Sequence, residues 1–158
     1  MTEKIRDIAL RYLAYRDRSE YEVSKYLKEK DFAYDDIENT LIYLNEFGYI
    51  DDKRYCENYI NYAILKGRGR NRIKRELKEK GISYDMAQIY LDELIDRNFE
   101  FKNALKQAEK LIKNNMNDEI YELDEKMKAK VGRRLFNLGY NMSLIYEVIN
   151  NLKITNEK

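Results

Sequence analysis

Apolar residues fall along this chain at intervals of three and four, the spacing of one face of an α-helix. Ile5, Ile8, Ala9, Tyr12 and Leu13 line a first helix over about residues 3–16. Ser19 and Glu22 have capping-box spacing, so a second helix starts there, turns Val23, Tyr26 and Leu27 inward and runs to about residue 30. Asp35-x-x-Glu38 reads as another box, opening a helix with Ile37, Leu41 and Leu44 that Gly48 closes. Asp51 or Asp52 caps a helix holding Tyr55, Tyr59, Ile60 and Ala63. Gly69 opens a helix with Ile73 and Leu77 inward, and Gly81 closes it. Asp85-x-x-Gln88 opens the next, with Ile89, Leu91 and Leu94. Three more helices are predicted over about 99–113, 123–138 and 143–152, with a polar spacer at 114–119. No period-two run of useful length exists, so no sheet is expected.

The pattern repeats. Shifted by fifty positions, Leu27-Lys28-Glu29-Lys30 falls on Leu77-Lys78-Glu79-Lys80, Tyr34-Asp35 on Tyr84-Asp85, and Leu41 and Leu44 on Leu91 and Leu94. A weaker copy follows fifty-eight positions on, where Leu135, Gly139, Tyr140, Ile149 and Leu152 match Leu77, Gly81, Ile82, Leu91 and Leu94. A period of this length marks stacked units, each too small to bury its own apolar face. The expected fold is all-α, with three tandem three-helix repeats forming an elongated, curved array. The repeats would be 1–49 (acidic), 50–96 (with a basic middle helix) and 97–158. A single rounded helical bundle is the alternative. Such an array offers a surface to a partner and rarely encloses a substrate.

Composition sharpens this picture. The 158 residues include no proline and only six glycines, which suits uninterrupted helices. The net charge of +1 conceals segregation. Residues 17–52 carry eleven acids and four bases, net −7, whereas residues 66–80 carry eight bases and two acids, net +6. Residues 125–134 add five bases against one acid. Charge divided in this way implies partners of definite sign. The single Cys56 excludes an internal disulfide and fits a reducing, cytoplasmic compartment. No apolar run approaches the ~20 residues of a membrane span, and the first residues do not resemble a secretion signal.

Catalytic chemistry finds little support. There is no histidine, the commonest general base near neutral pH, and one cysteine without histidine builds no zinc site. None of Ser19, Ser24, Ser83 and Ser143 lies in a nucleophile elbow. The pairs Asp35-Asp36 and Asp51-Asp52 are explained by capping. Neither enzyme activity nor a cofactor is expected. Lys66-Gly67-Arg68-Gly69 has the look of a phosphate loop but lacks the strand and the third glycine of a dinucleotide fingerprint.

The basic segments carry the candidate chemistry. With Ile73 and Leu77 inward, a helical wheel turns Asn71, Arg72, Arg75, Lys78 and Glu79 outward and sets Arg70 and Lys74 on a flank. The helix start at Gly69, with Gly67, Arg68 and Arg70 around it, is expected to be open to an anion. Lys126, Lys128, Lys130, Arg133 and Arg134 occupy the matching helix of the third repeat. Tyr12, Tyr26, Tyr55 and Tyr59 read as core residues, Tyr15 and Tyr21 as exposed ones, and Cys56 as buried.

These residues resemble a known family. Ala9-Leu10-x-Tyr12-Leu13-x-x-Arg16-x-Arg18-Ser19-x-x-Glu22-Val23 is similar to the opening signature of the RecX regulatory proteins. Gly48-Tyr49-Ile50-Asp51-Asp52-x-Arg54-Tyr55 resembles their junction between first and second repeats. Lys66-Gly67-x-Gly69-x-x-Arg72-Ile73-x-x-Glu76-Leu77-x-x-Lys80-Gly81-Ile82 resembles their most distinctive block. The likeness is strong over about 8–94 and weaker to residue 152. It implies three tandem three-helix repeats and a regulator of the RecA recombinase; a monomeric, non-enzymatic protein is expected. Such proteins lodge in the groove of the RecA–DNA filament and restrain its growth, ATP hydrolysis, strand exchange and co-protease activity. Some bind single- or double-stranded DNA. Gly67, Gly69, Arg72, Lys80 and Gly81 are carried over from the family block. The charge argument adds Arg68, Arg70, Lys74, Arg75, Lys78, Lys130, Arg133 and Arg134 as residues contacting RecA or DNA. A nucleic-acid-binding helical protein without a RecA role, and a plain protein-interaction array, are the alternatives.

Overall fold

A computed structural model describes residues 2–115 and 123–155, and the regular structure there is helical throughout. Nine helices are found among the described residues: α1 (Thr2–Tyr15), α2 (Glu20–Glu29), α3 (Tyr34–Glu46), α4 (Asp52–Leu65), α5 (Arg70–Glu79), α6 (Tyr84–Leu94), α7 (Arg97–Asn115), α8 (Glu125–Leu138) and α9 (Met142–Thr155). Most of the polar spacer expected at 114–119 lies outside the described residues. The chain divides into two compact bodies, Met1–Tyr59 with Glu76–Ala87 and Ile60–Arg75 with Gln88–Lys158.

One form of loop stands at all three repeat-related positions. After α2, α5 and α8 the chain enters the left-handed region at Asp31 (φ 65), Gly81 (φ 84) and Gly139 (φ 104). These are the positions related by shifts of fifty and fifty-eight. Each turn makes the same two bonds. Asp31, Gly81 and Gly139 donate to the carbonyls of Lys28, Lys78 and Phe136, and the following Phe32, Ile82 and Tyr140 donate to Leu27, Leu77 and Leu135. This is the Schellman closure, which satisfies the helix's last carbonyls and tucks an apolar residue beneath its end. The next helix then begins three residues after the left-handed one.

That register corrects the cap assignments. Ala33 occupies the N-cap of α3 and makes no side-chain bond, so the Asp35 box does not form. Ser83 caps α6 by accepting from the Met86 N–H (3.1 Å), displacing Asp85 from that role. Asn141 caps α9 in the same way (2.8 Å from Leu144 N). Ser19 does form a complete capping box with Glu22. Asp51 caps α4, accepting from Lys53 and Arg54.

In the first body, α1, α2 and α3 bury Ile5, Ala9, Val23, Leu27, Ile37, Leu41, Leu44 and Ile50 against one another. Tyr12 and Tyr26, half-buried, stack at 3.9 Å between ring centroids, and Arg18 covers Tyr12 at 4.0 Å. Tyr55 and Cys56 are buried, and burial lifts the Cys56 thiol to about 11. Tyr59 is half-buried, and Tyr15 and Tyr21 are exposed as expected. In the second body, α7, α8 and α9 bury Ala104, Ala108, Val131, Leu135, Leu138, Tyr140, Leu144, Ile145 and Val148. On α6, Ala87 in the first body and Leu91 in the second are buried, whereas Ile89 and Leu94, both expected inward, are 58% and 38% exposed.

The first body is closed at the start of α2. Ser19 is fully buried and its hydroxyl donates to the Lys80 carbonyl at the end of α5. Tyr21 packs on Gly81 so closely that any Cβ there would overlap its ring base. Glu22 gathers this junction, accepting from Arg16 at 2.7 Å and from the Ser19 N–H at 3.2 Å, with Lys80 at 3.9 Å. Burial disfavours the Glu22 charge, but these donors prevail and hold its carboxyl below the usual range.

Three outcomes follow from this geometry. Ala33→Ser supplies the missing cap and raises unfolding free energy by ~0.5–2 kcal/mol, whereas Gly81→Ala lowers it by more than the ~1–2 kcal/mol of left-handed strain, because Tyr21 must also move; chemical denaturation reads both. A carboxylate with a depressed folded pKa stabilises above its unfolded value, here 4.5, and loses that contribution as pH falls through the folded value. Melting curves of wild type and Glu22→Gln therefore differ by a constant amount from pH 7 to 5 and draw together as the pH falls below 4.5 and through the depressed folded value.

Candidate functional site

The second body contains the glycine loop and most of the candidate cations. Gly67 is left-handed (φ 78) and Gly69 stands at the start of α5. The loop is closed by its own fold. Tyr140 donates its hydroxyl to the Gly67 carbonyl at 2.8 Å, and Gln107 lies where a Gly67 Cβ would be. Gly69 N–H donates to the Leu138 carbonyl (2.6 Å) and Asn71 N–H to that of Gly139 (3.0 Å). A Cβ on Gly69 would overlap the Gly139 backbone, and one on Gly139 would overlap Arg72. The expectation that the start of α5 is open to an anion is therefore corrected: its glycines permit close backbone packing, and the carbonyls ending α8 take the donors that an anion would need.

The arginines divide by environment. Arg70 is an internal tether. It pairs with Asp92 at 2.8 Å and with Glu100 at 3.2 Å, and donates to the Leu91 and Ile95 carbonyls. Glu100 is 7% exposed, and its second oxygen, Oε1, is buried with no hydrogen-bond partner. Bonds from Gln88 and then Arg70 hold Asp92 below its ordinary range. Burial raises the Tyr140 hydroxyl, and Glu100 adds to this, so it remains a protonated donor. Lys74 is half-buried and donates to Gln88. Arg68 lies over Tyr62 at 5.5 Å, with Lys66 at 5.7 Å from the same ring. Arg72 is half-buried against Gly139, and Arg75 is exposed. Lys78 belongs to the first body and sits 4.6 Å from the Tyr84 ring.

Helix α8 presents a second cationic surface. Its inner side is Val131, Leu135 and Leu138, all buried. Lys126, Lys130 and Arg133, at i, i+4 and i+7, share the opposite side, with Arg134 beside them, and all four are exposed. On a 1.5 Å rise they form a row ~10 Å long. Lys128 pairs with Glu125 at 3.1 Å. Such a row suits a line of phosphates or carboxylates.

Other sites of chemistry are weak. Asp52 accepts from the Glu20 N–H in the first turn of α2 at 2.9 Å; burial, with Glu20 and Asp51 nearby, raises its carboxyl. Asp35 and Asp36 occupy the first turn of α3. Among the described residues no group of three or more metal-ligating side chains converges. A groove of about 220 Å³ on the first body is lined by Tyr12, Tyr21, Glu22 and Lys25, among others. No described helix is long and apolar enough to cross a membrane.

Comparison with known proteins gives these surfaces a context. The family model described as "RecX, first three-helix domain" matches residues 6–44, and "RecX, second three-helix domain" matches 51–91. The Regulatory protein RecX of Legionella pneumophila (strain Corby) is 33% identical over 147 residues, 93% of each chain. That of Clostridium perfringens (strain SM101 / Type A) is 34% identical over 154 residues, 94% of this chain and 68% of its own. The crystal structure of RecX from Lactobacillus salivarius superposes with a TM-score of 0.84 at 26% identity, covering 97% of both chains. The likeness extends from the opening signature through the α4–α5 block into α9, and the chain belongs to the RecX family of regulatory proteins.

Proposed function

We propose that this chain is a non-enzymatic regulator that binds the RecA recombinase filament and inhibits its ATP hydrolysis, strand exchange and co-protease activity. It would act in the cytoplasm, in homologous recombination, DNA repair and the SOS response. The observation that carries this reading is the extent of the likeness to RecX regulatory proteins, 93% of the chain at 33% identity. The cationic row on α8 supports a position beside DNA phosphates within the filament, and the charge segregation supports contacts of two kinds. A nucleic-acid-binding role without RecA is favoured by the same row alone.

The purified protein lowers the DNA-stimulated ATPase rate of RecA from the same source at sub-stoichiometric ratios; no effect over a full titration refutes the reading. Tight, salt-sensitive binding to naked DNA combined with an inert ATPase titration favours the second role instead. Replacing Lys130, Arg133 and Arg134 together by Glu raises the half-inhibitory concentration about tenfold or more, reduces the salt slope of DNA binding by about one for each phosphate no longer neutralised, and leaves circular dichroism unchanged. Arg70→Ala acts differently. It strands the buried Glu100 carboxylate and costs ~3–5 kcal/mol of stability, read by chemical denaturation.

A further inference from the structure

Between residues 31 and 52 there are seven carboxylates and no base, and α3 occupies most of that stretch. Its inner side, Ile37, Thr40, Leu41 and Leu44, is buried. Its outer side carries Asp35, Ile42 and Glu46 at i, i+7 and i+11, within one narrow face. Ile42 is 56% exposed between those two carboxylates, and beyond the helix end Phe47 is 66% and Tyr49 47% exposed. The rings are held in place. Phe47 and Tyr49 lie 4.8 and 6.5 Å from Tyr43, and the Arg6 guanidinium sits 3.7 Å from the Tyr43 ring. Arg54, a nearby cation, is tied to the Gly48 carbonyl at 3.2 Å. Scattered exposed apolar residues are ordinary, but fixed adjoining rings form a patch that gives up little freedom on docking.

The repeat supplies an internal control. Fifty positions on, Ile42 and Phe47 correspond to Asp92 and Arg97. In the second body these are polar and paired, Asp92 with Arg70 and Arg97 with Glu147 at 2.8 Å. Where the fold itself provides a partner, these positions carry charge; in the first body the same positions are apolar and exposed.

We propose that the outer face of α3, with Phe47 and Tyr49, docks a protein surface that is cationic around an apolar recess. An apolar centre with a charged rim is the usual anatomy of such interfaces. The carboxylates choose the partner's sign and exclude nucleic acid, whose phosphates they repel. The inference rests on the function proposed above, so the docked surface belongs to RecA, and this interface is distinct from the α8 row.

The test is direct binding of fluorescently labelled full-length chain to RecA without DNA, using Ile42→Glu/Phe47→Ala and, separately, Asp35→Lys/Glu46→Lys. Both variants are expected to keep the wild-type melting temperature and single-stranded oligonucleotide affinity and to weaken RecA binding at least tenfold. Unchanged RecA affinity in either variant overturns the surface and leaves the proposed function standing. Failure of the wild-type chain to bind RecA overturns both.

Discussion

The structure depends on backbone carbonyls at the end of one helix meeting donors at the start of another. In the first body the Ser19 hydroxyl at the head of α2 donates to the Lys80 carbonyl ending α5. In the second, the Gly69 and Asn71 N–H groups at the head of α5 donate to the Leu138 and Gly139 carbonyls ending α8. Each junction places the positive end of one helix dipole on the negative end of another, and each satisfies groups that helix termini leave unpaired. The approach is possible because the turn at the receiving end is left-handed and lacks a side chain. Gly81 and Gly139 therefore play the same part in different bodies, which accounts for the glycine near the end of the family's distinctive block.

This constraint sorts the charged residues. Arg70, the family-block Lys80, Glu22 and Glu100 serve the junctions or the packing beneath them. Their charges are matched within a few ångströms and are poorly placed to meet a partner. The cations of α8 and the carboxylates of α3 lie on the outer sides of helices whose inner stripes are buried. A +1 chain thus carries two strongly charged helical faces of opposite sign without destabilising its core.

Much of the architecture is legible in spacing alone. The three- and four-residue apolar rhythm locates every helix among the described residues, and the shifts of fifty and fifty-eight align the three left-handed turns. The errors have a common origin. Asp35 and Asp85 have the chemistry of caps, yet the caps are Ala33 and Ser83, because the closing turn after α2 or α5 sets the next helix start before side chains compete for it. Helical spacing puts Ile89 inward, although Ala87 and Leu91 suffice to fill that face. The Gly67–Gly69 loop and Arg70 suggest an anion site by composition. Their partners, Tyr140, Gln107 and Glu100, lie thirty to seventy-odd residues away, and no local pattern announces them. The α8 row is readable from sequence because its neighbours on the wheel are local.

Asp31 is the exception among the three turns. It adopts the same left-handed backbone as Gly81 and Gly139 but keeps a side chain, and it is exposed. At the two glycine positions a single added carbon would collide with the helix seated there. The turn after α2 thus follows the same backbone plan as the two glycine turns, but its side chain occupies the space through which a helix head approaches them.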